Sequence, residues 1–511
     1  MAKIRIAAGA AALALGLAVA GAAQIAPQAP VIRVEELHAR PRPQSPRVTA
    51  RAAAIVAAIR PAQIEQMDHR LVAFGSRSTL SDYHPGPKGT PGSTTVSTAT
   101  RGIVPARAWI VRQFQAISRA TGGRLQVRVD TFDLPKGPRI PAPQSIGDVI
   151  ATLPGTNPND KRIFLVSGHY DSIPADFKLD SPGANDDASG TIVSLESARA
   201  LASHHFPATI EFITVEGEEE GLYGSHYEAQ KDKQAGLDIA GMLNDDIVGG
   251  DQTPGHRNTD VLRVFSQAIS PAVSREQLRQ IIFNSWEDDS PARELARFAS
   301  EVAGLYLPGF HVLLEYRPDR FERGGDSASF QAAGYPAVRF TEYHENANHQ
   351  HLPVSVTPQG VLLGDRARWV SPTYLANAAR VNALTLAALA SSPLPPAHVY
   401  FRGGQAIGTP IRWTPVPGAV AYRVLLRPTA SPQWTIRIPA PPKFAPPIRL
   451  PFLRGPAPAG PPMYGITIPQ SPDNYIIAVV SVDKDGNESL PTLATTPPFR
   501  RPGGRGRGGR G

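Results

Sequence analysis

The chain has 511 residues, of which 41% are hydrophobic and 19% charged. Length and composition therefore predict two or three folded domains and exclude a wholly disordered chain. Cysteine is absent, which excludes disulfides and a cysteine nucleophile and leaves His, Asp and Glu as metal ligands. The net charge is +8. Five of these positive charges come from arginines in the last twelve residues, and two come from basic residues among the first five. The body then carries only about +1, so we expect no nucleic-acid partner.

The N-terminal segment has the pattern of an export signal. Two basic residues precede the apolar stretch Ile6–Val19, and small residues follow at 20–23. This order predicts a signal peptide over residues 1–23, because the apolar run is short and Ala-rich for an uncleaved membrane anchor. Residues 24–48 are Pro-rich and are predicted to be a linker or propeptide. The mature protein is expected to be secreted or periplasmic and to have no membrane span.

Helical and strand patterns alternate through the next part of the chain. Predicted helices begin near Thr49 and span Pro105–Ala120, Gly190–His204 and Pro372–Leu389. The predicted strands are Leu125–Phe132, Ile146–Leu153, Arg162–Val166, Thr209–Val215, Ile239–Leu243 and Ala337–Thr341. This alternation predicts an α/β domain over residues 49–390, with a mixed, largely parallel central sheet flanked by helices.

Short alternating strands dominate the C-terminal part. The runs Tyr422–Leu426 and Tyr475–Asp483 predict a small all-β sandwich over residues 396–497. The pieces IRWTPVPGAVAYRVLLR and NYIIAVVSVDKDGNES resemble a fibronectin type III domain, with Trp413 as its core aromatic. We interpret this domain as a spacer or stabilising cap; binding to substrate, polymer or cell surface is the alternative. The Arg/Gly-rich tail, residues 498–511, is predicted to be disordered.

Polar clusters follow the predicted strands, at the edge where an open α/β sheet binds its ligands. Four clusters are His169-Tyr-Asp171, Asn185-Asp186-Asp187, Glu216-Gly-Glu218-Glu219-Glu220 and Asn244-Asp245-Asp246. The fifth consists of the three histidines His344, His349 and His351. Each alone has an ordinary interpretation, such as a helix N-cap or a solvated acidic surface. Together they supply two histidines and three or four carboxylates, a donor set suited to zinc in the absence of cysteine.

The order of these motifs resembles a known family. H-x-D, G-A-N-D-D-A-S-G, E-E-E-G-L-x-G-S, N-D-D-I-V-G and a late His are similar to the co-catalytic zinc aminopeptidases of clan MH. That group includes aminopeptidase Y and glutamate carboxypeptidase. Supporting stretches are LVAFGSRSTLS and RGGDSASFQAAGYPAVRFTE, and the resemblance covers roughly residues 50–389. It implies a zinc exopeptidase fold and two zinc ions per chain.

The resemblance also implies a ligand set. His169 and Asp246 would bind one zinc, Glu219 and His351 would bind the other, and Asp186 would bridge the two. The family pattern makes the bridging acid the middle one of three polar residues, which selects Asp186.

Three further assignments follow from the same resemblance. Glu218 would be the general base, and Asp171 would orient the ring of the first histidine. His351 fits the pattern E-N-x-x-x-Q-H of some relatives, and His349 remains an alternative ligand. Relatives often show Asp-His where this chain has Asp326 followed by serine, so a contact made by that histidine would be missing.

The implied activity is an exported, zinc-dependent aminopeptidase. A zinc-bridging water, activated by a glutamate, would hydrolyse the N-terminal bond of peptides with a free N terminus. The alternatives are glutaminyl cyclase-like or carboxypeptidase-type activity on the same fold, and a non-catalytic binding protein.

Overall fold

The computed structural model describes residues 46–82, 98–173, 181–402, 408–445 and 462–496. The predicted signal peptide (1–23), nearly all of the predicted linker or propeptide (24–48) and the predicted disordered tail (498–511) lie outside these residues. Among the described helices, none is long and apolar enough to cross a lipid bilayer.

Ten α-helices belong to the larger domain. They are α1 (Pro46–Ala58), α2 (Pro61–Val72), α3 (Ile103–Ala120), α4 (Ser189–Leu201), α5 (Glu218–Gly221), α6 (Tyr223–Ala235), α7 (Arg275–Asn284), α8 (Pro291–Tyr306), α9 (Ser327–Ala333) and α10 (Pro372–Ser391). Serine side chains accept a backbone N–H at the starts of α7, α8 and α10, and proline begins α8 and α10. The serine side chains bind backbone N–H groups of the first turn that have no partner within the helix, and proline fixes the backbone angle φ near its helical value. These residues therefore set where the helices begin.

Eight strands form the central sheet. They are β1 (Gln126–Leu134), β2 (Gln144–Leu153), β3 (Arg162–His169), β4 (Thr209–Val215), β5 (Asp238–Asp245), β6 (Val261–Ser266), β7 (His311–Glu315) and β8 (Ala337–Glu342). Their order is β1-β2-β4-β3-β5-β8-β6-β7, and the central strands β4, β3, β5 and β8 are mutually parallel. The carboxyl ends of these four strands therefore meet at one edge of the sheet.

The core lies between this sheet and its helices. Helix α4 packs against β3 and α10, and nearly every side chain of α4 is buried. The close packing of α4 against the sheet depends on two glycines. A Cβ on Gly168 would lie 2.2 Å from the backbone of Gly190, and a Cβ on Gly190 would lie 2.1 Å from the carbonyl oxygen of Asp245. Any side chain at these positions would push α4 away from the sheet edge.

The predicted fold class is confirmed, with differences in detail. Strand Thr209–Val215 has the predicted bounds. The strand predicted over Arg162–Val166 is wrong at its end, since β3 continues to His169. β6 and β7 carry no prediction because their turn and strand signals are weak, and β6 also runs antiparallel to β8.

Two small antiparallel sheets follow the larger domain. One contains β11 (Tyr400–Phe401), β12 (Thr409–Trp413) and β15 (Tyr464–Ile468); the other contains β13 (Ala421–Pro428), β14 (Ile436–Ala440), β16 (Tyr475–Val482) and β17 (Thr492–Leu493). Before them, β9 (Ser355–Val356) and β10 (Leu362–Leu363) form a short hairpin of the larger domain. Both small sheets contribute to one hydrophobic cluster around Trp413, which is fully buried as the sequence predicts.

Buried ion pairs join the small sheets to α8. Asp289 lies directly before α8 and accepts hydrogen bonds from Arg427 at 2.6 and 2.8 Å and from Arg297 at 3.1 Å. The indole N–H of Trp434 donates to Glu294 at 2.8 Å. The interface thus encloses charged groups that are fully paired, which fixes the two parts against each other.

We expect Asp289→Ala to lower the free energy of unfolding by about 3–5 kcal/mol, because it leaves two buried arginines without their shared partner. Urea denaturation followed by circular dichroism measures this loss. The matched control is Glu276→Ala, whose side chain is 71% exposed and pairs with Arg279 at 3.6 Å; we expect it to cost less than about 1 kcal/mol. Equal losses in the two variants would contradict a structural role for the buried pairs.

Candidate metal centre

The candidate site lies where the four parallel strands end. His169 is the last residue of β3, Asp246 directly follows β5, and Glu218 begins the short helix α5 after β4. Asp186 lies in the turn before α4. These positions follow from the topology, because the ends of neighbouring parallel strands point to the same edge.

Six of the predicted side chains gather into two groups. His169, Glu218 and Asp246 each offer one ligand atom, and these atoms lie within 4.8 Å of one another. The second group consists of Asp186, Glu219 and His351, whose ligand atoms also lie within 4.8 Å of one another.

Asp186 faces both groups. Its Oδ1 lies 3.3 Å from His169 Nε2, and its Oδ2 lies 2.9 Å from His351 Nε2. His351 Nε2 also lies 3.2 Å from Glu219 Oε2. This is the geometry expected of a carboxylate shared between two cations.

Asp171 links the first histidine to the glutamate turn. Its carboxylate lies 3.5 Å from His169 Nδ1, on the side of the ring away from Asp186. The same carboxylate accepts the backbone N–H of Glu218 at 3.4 Å and of Glu219 at 3.2 Å. A carboxylate at this nitrogen fixes the orientation of the imidazole, as histidine ligands of metals require.

Two acids outside the predicted ligand set hold the Asp186 turn in place. Asp365 is buried and accepts the backbone N–H of Asn185 at 2.9 Å and of Asp186 at 2.6 Å. Asp187 accepts the N–H of Gly190 at 2.8 Å and of His169 at 3.0 Å. Asp187 thus joins the first turn of α4 to the end of β3, while its neighbour Asp186 points into the site.

The remaining histidines lie outside both groups. His349 is buried, forms an ion pair with Asp251 and stacks on Trp369 at a ring distance of 3.9 Å. His344 is exposed. Of the two candidates for the last ligand, only His351 lies beside Asp186 and Glu219.

The electrostatics of the site reflect closely packed acids and imidazoles. The carboxylates of Asp186 and Glu219 raise the pKa of His351 to about 11. Burial raises the pKa of Glu218 well above its usual value, and the nearby carboxylates of Asp246 and Glu219 add to that rise. Burial alone would also raise the pKa of Asp186, but the two imidazoles beside it hold that pKa well below its usual range. A bound cation would replace the protons that such a cluster otherwise retains.

The donor atoms fit a metal ion. Within the described part of the chain, His169 Nε2, Glu219 Oε1 and Asp246 Oδ1 have no hydrogen-bond partner. Buried polar atoms in folded proteins almost always have partners. Buried imidazole nitrogens and carboxylate oxygens that converge without hydrogen bonds are the donor set of a zinc site built without cysteine.

Comparisons with known proteins identify the family. A sequence profile of Peptidase family M28 matches residues 148–353. A protein of Pyricularia oryzae named probable zinc metalloprotease is 38% identical over 445 residues, covering 85% of this chain and 82% of its own. The chain therefore belongs to peptidase family M28 and is a zinc metallopeptidase.

Solved structures with a similar fold include two bacterial enzymes. The LapA aminopeptidase of Legionella pneumophila is 19% identical with a TM-score of 0.46, covering 67% of this chain and 75% of its own. BSAP, a zinc aminopeptidase from Bacillus subtilis, is 25% identical with a TM-score of 0.32, covering 48% of this chain and 50% of its own.

Substitution of His349 and His351, one at a time, tests the ligand assignment. We expect His351→Ala to lower the zinc-to-protein ratio of the purified protein, because it removes an imidazole beside Asp186 and Glu219. We expect His349→Ala to keep the ratio, because that ring contacts Asp251 and Trp369 instead. Elemental analysis after dialysis measures both ratios, and a loss of zinc in His349→Ala alone would place the ligand there.

Proposed function

We propose that this metallopeptidase is an exported aminopeptidase that holds two zinc ions and releases the N-terminal residue of peptides. The observation that carries the proposal is the pair of ligand groups on either side of Asp186, with Glu218 beside the first group. Two groups that share one carboxylate fit a co-catalytic pair of cations better than a single ion. Export rests on the pattern of basic, apolar and small residues at the N terminus.

The ligands divide between the two ions. His169 and Asp246 hold one zinc, Glu219 and His351 hold the other, and Asp186 contacts both. When bound, the ions lower the pKa of a shared water and polarise the carbonyl of the scissile bond. Asp171 keeps the His169 ring oriented from its far side, at 3.5 Å from Nδ1.

Glu218 moves the proton. Its carboxylate lies 4.0 Å from His169 Nε2, at the edge of the site and with a side chain that is 13% exposed. It takes a proton from the attacking water as the C–O bond forms, and it gives that proton to the leaving nitrogen as the C–N bond breaks. One water is consumed for each bond cleaved, and Glu218 ends each cycle deprotonated.

The free α-amine of the substrate is the feature that sets an aminopeptidase apart. A neutral amine can bind zinc through its nitrogen lone pair, which an N-acetylated substrate cannot offer. The proposal therefore predicts cleavage of aminoacyl p-nitroanilides and no cleavage of their N-acetylated counterparts. Equal cleavage of both, or release of C-terminal residues from peptides, would contradict it.

The same panel separates the cyclase-like alternative. A peptide beginning with glutamine would lose free glutamine to an aminopeptidase, whereas a cyclase would convert that residue to pyroglutamate. Mass spectrometry of the products distinguishes the two by the mass of the remaining peptide.

We expect Glu218→Gln to lower kcat by about 10²–10⁴-fold and to leave the zinc content unchanged, because the amide cannot accept the proton of water. The measurements are kinetics with an aminoacyl p-nitroanilide and elemental analysis. Glu220→Gln is the control, since it makes the same change in the same turn. Neither carboxylate oxygen of Glu220 has a hydrogen-bond partner in the described residues. Wild-type turnover in Glu218→Gln would refute its role as the base.

A further inference from the structure

Arg339 lies beneath the candidate metal centre and has no role among the predicted site residues. It is a residue of β8, the strand beside β5, and only 1% of it is exposed. Its Nη2 lies 2.7 Å from Asp246 Oδ2, and its Nη1 lies 2.9 Å from Asp319 Oδ2. Nη1 also donates to the carbonyl oxygen of Gly324. The guanidinium therefore joins a proposed zinc ligand to the loop between β7 and α9.

The contact fixes the oxygen of Asp246 that faces the first histidine. Oδ2 lies 2.7 Å from Arg339 Nη2 and 3.9 Å from His169 Nε2, whereas Oδ1 has no hydrogen-bond partner among the described residues. A planar guanidinium fixes the direction of a carboxylate more strictly than an ammonium would, because its N–H groups have a rigid geometry. The guanidinium thus holds Asp246 in a fixed direction relative to His169.

The second ligand group has no such support. Within the described ranges, the ion pairs of Asp186 and Glu219 are with histidines only. The arginine thus acts on one side of the site, the side of His169 and Asp246.

We propose that Arg339 is a positioning residue that holds Asp246 in the direction needed to bind the zinc on the His169 side, with Asp319 holding the guanidinium in place. This inference rests on the two-zinc site of the proposed function. Two effects oppose each other here. The guanidinium orients the ligand, and its positive charge also weakens the attraction of Asp246 for a cation. The orienting effect dominates, because without the arginine a buried Asp246 faces the carboxylates of Asp186 and Glu218 with nothing to fix its direction.

The test compares zinc binding by wild type and Arg339→Met at a series of buffered free-zinc concentrations, with elemental analysis as the readout. We expect wild type to bind two ions per chain. In Arg339→Met one of the two sites should weaken by about 10–100-fold, the usual effect of losing a partner that orients a ligand. The other site should change by less than about threefold.

Matched variants exclude a general loss of structure. Arg427→Met removes another buried arginine, which lies on the small sheets and pairs with Asp289. We expect this variant to keep both zinc affinities. Arg339→Lys should weaken the same site less than Arg339→Met does, because lysine keeps the positive charge but lacks the planar guanidinium group. Should Arg339→Met fail to fold, Asp319→Asn keeps the arginine but removes its anchor, and we expect it to weaken the same site.

The outcomes separate this inference from the proposed function. Unchanged affinities in Arg339→Met, or tighter binding, would overturn the inference alone, since tighter binding would mean that charge dominates over position. Equal weakening of both sites would also overturn it. A wild-type protein that binds fewer than two zinc ions would overturn the proposed function and the inference with it.

Discussion

The concentration of negative charge at a buried sheet edge is the constraint on which the rest of the structure depends. Asp171, Asp186, Glu219 and Asp246 are each at most 6% exposed, and each has an oxygen 3.2–3.9 Å from a ring nitrogen of His169 or His351. Carboxylates that share a desolvated space repel each other, and the charged state survives only beside cations or donors. The two imidazoles and Arg339 supply positive charge beside these acids. Zinc bound at the proposed site would add to it, so metal binding and local structure would stabilise each other.

Acids around the site form two layers with different tasks. The inner acids present oxygens to the cation positions. The outer acids, Asp171, Asp187 and Asp365, accept backbone N–H groups of the segments that carry the inner ones. Because a charged acceptor makes a stronger hydrogen bond to N–H than a neutral one does, the outer layer holds each loop in one conformation. Precision at the metal positions thus comes from acids that do not touch the metal.

The sequence predicts the inner acids and the role of Asp171, but it predicts no role for Asp365 or Arg339. His169, Asp186 and Asp246 follow apolar strands or precede a helix, so their placement can be inferred from topology together with the family motifs. Asp365 and Arg339 have no such signal. The first lies in a loop after a short hairpin, and the second is a single basic residue within β8. Their importance arises from contacts between segments far apart in the chain, which single-sequence patterns do not contain.

The C-terminal sheets show the same limit of sequence-based prediction, here for a whole interface. Alternating apolar residues and a core tryptophan predict strands and a sandwich, because these depend on local periodicity. They do not predict that Asp289 will meet Arg427 across 138 positions of sequence. The interface also reaches Tyr316, whose hydroxyl donates to the carbonyl oxygen of Pro432 at 2.5 Å. Tyr316 directly follows β7, at the start of the loop that carries Asp319, so the small sheets contact the segment that anchors Arg339.

Runs of adjacent acids are where sequence alone is least decisive, and the backbone explains why. In the turn that begins at Gly217, whose φ is +82°, three consecutive glutamates point in different directions. Glu218 joins the group of His169, Glu219 joins the group of His351, and Glu220 joins neither. Glu216, one residue before the turn, pairs instead with Arg107 at 2.9 Å. Adjacent residues in a tight turn have side chains that diverge by large angles, so a shift of one position would exchange a ligand for a structural acid. The family pattern selects the register, and in that register two neighbouring carboxylates lie in two different candidate ligand groups.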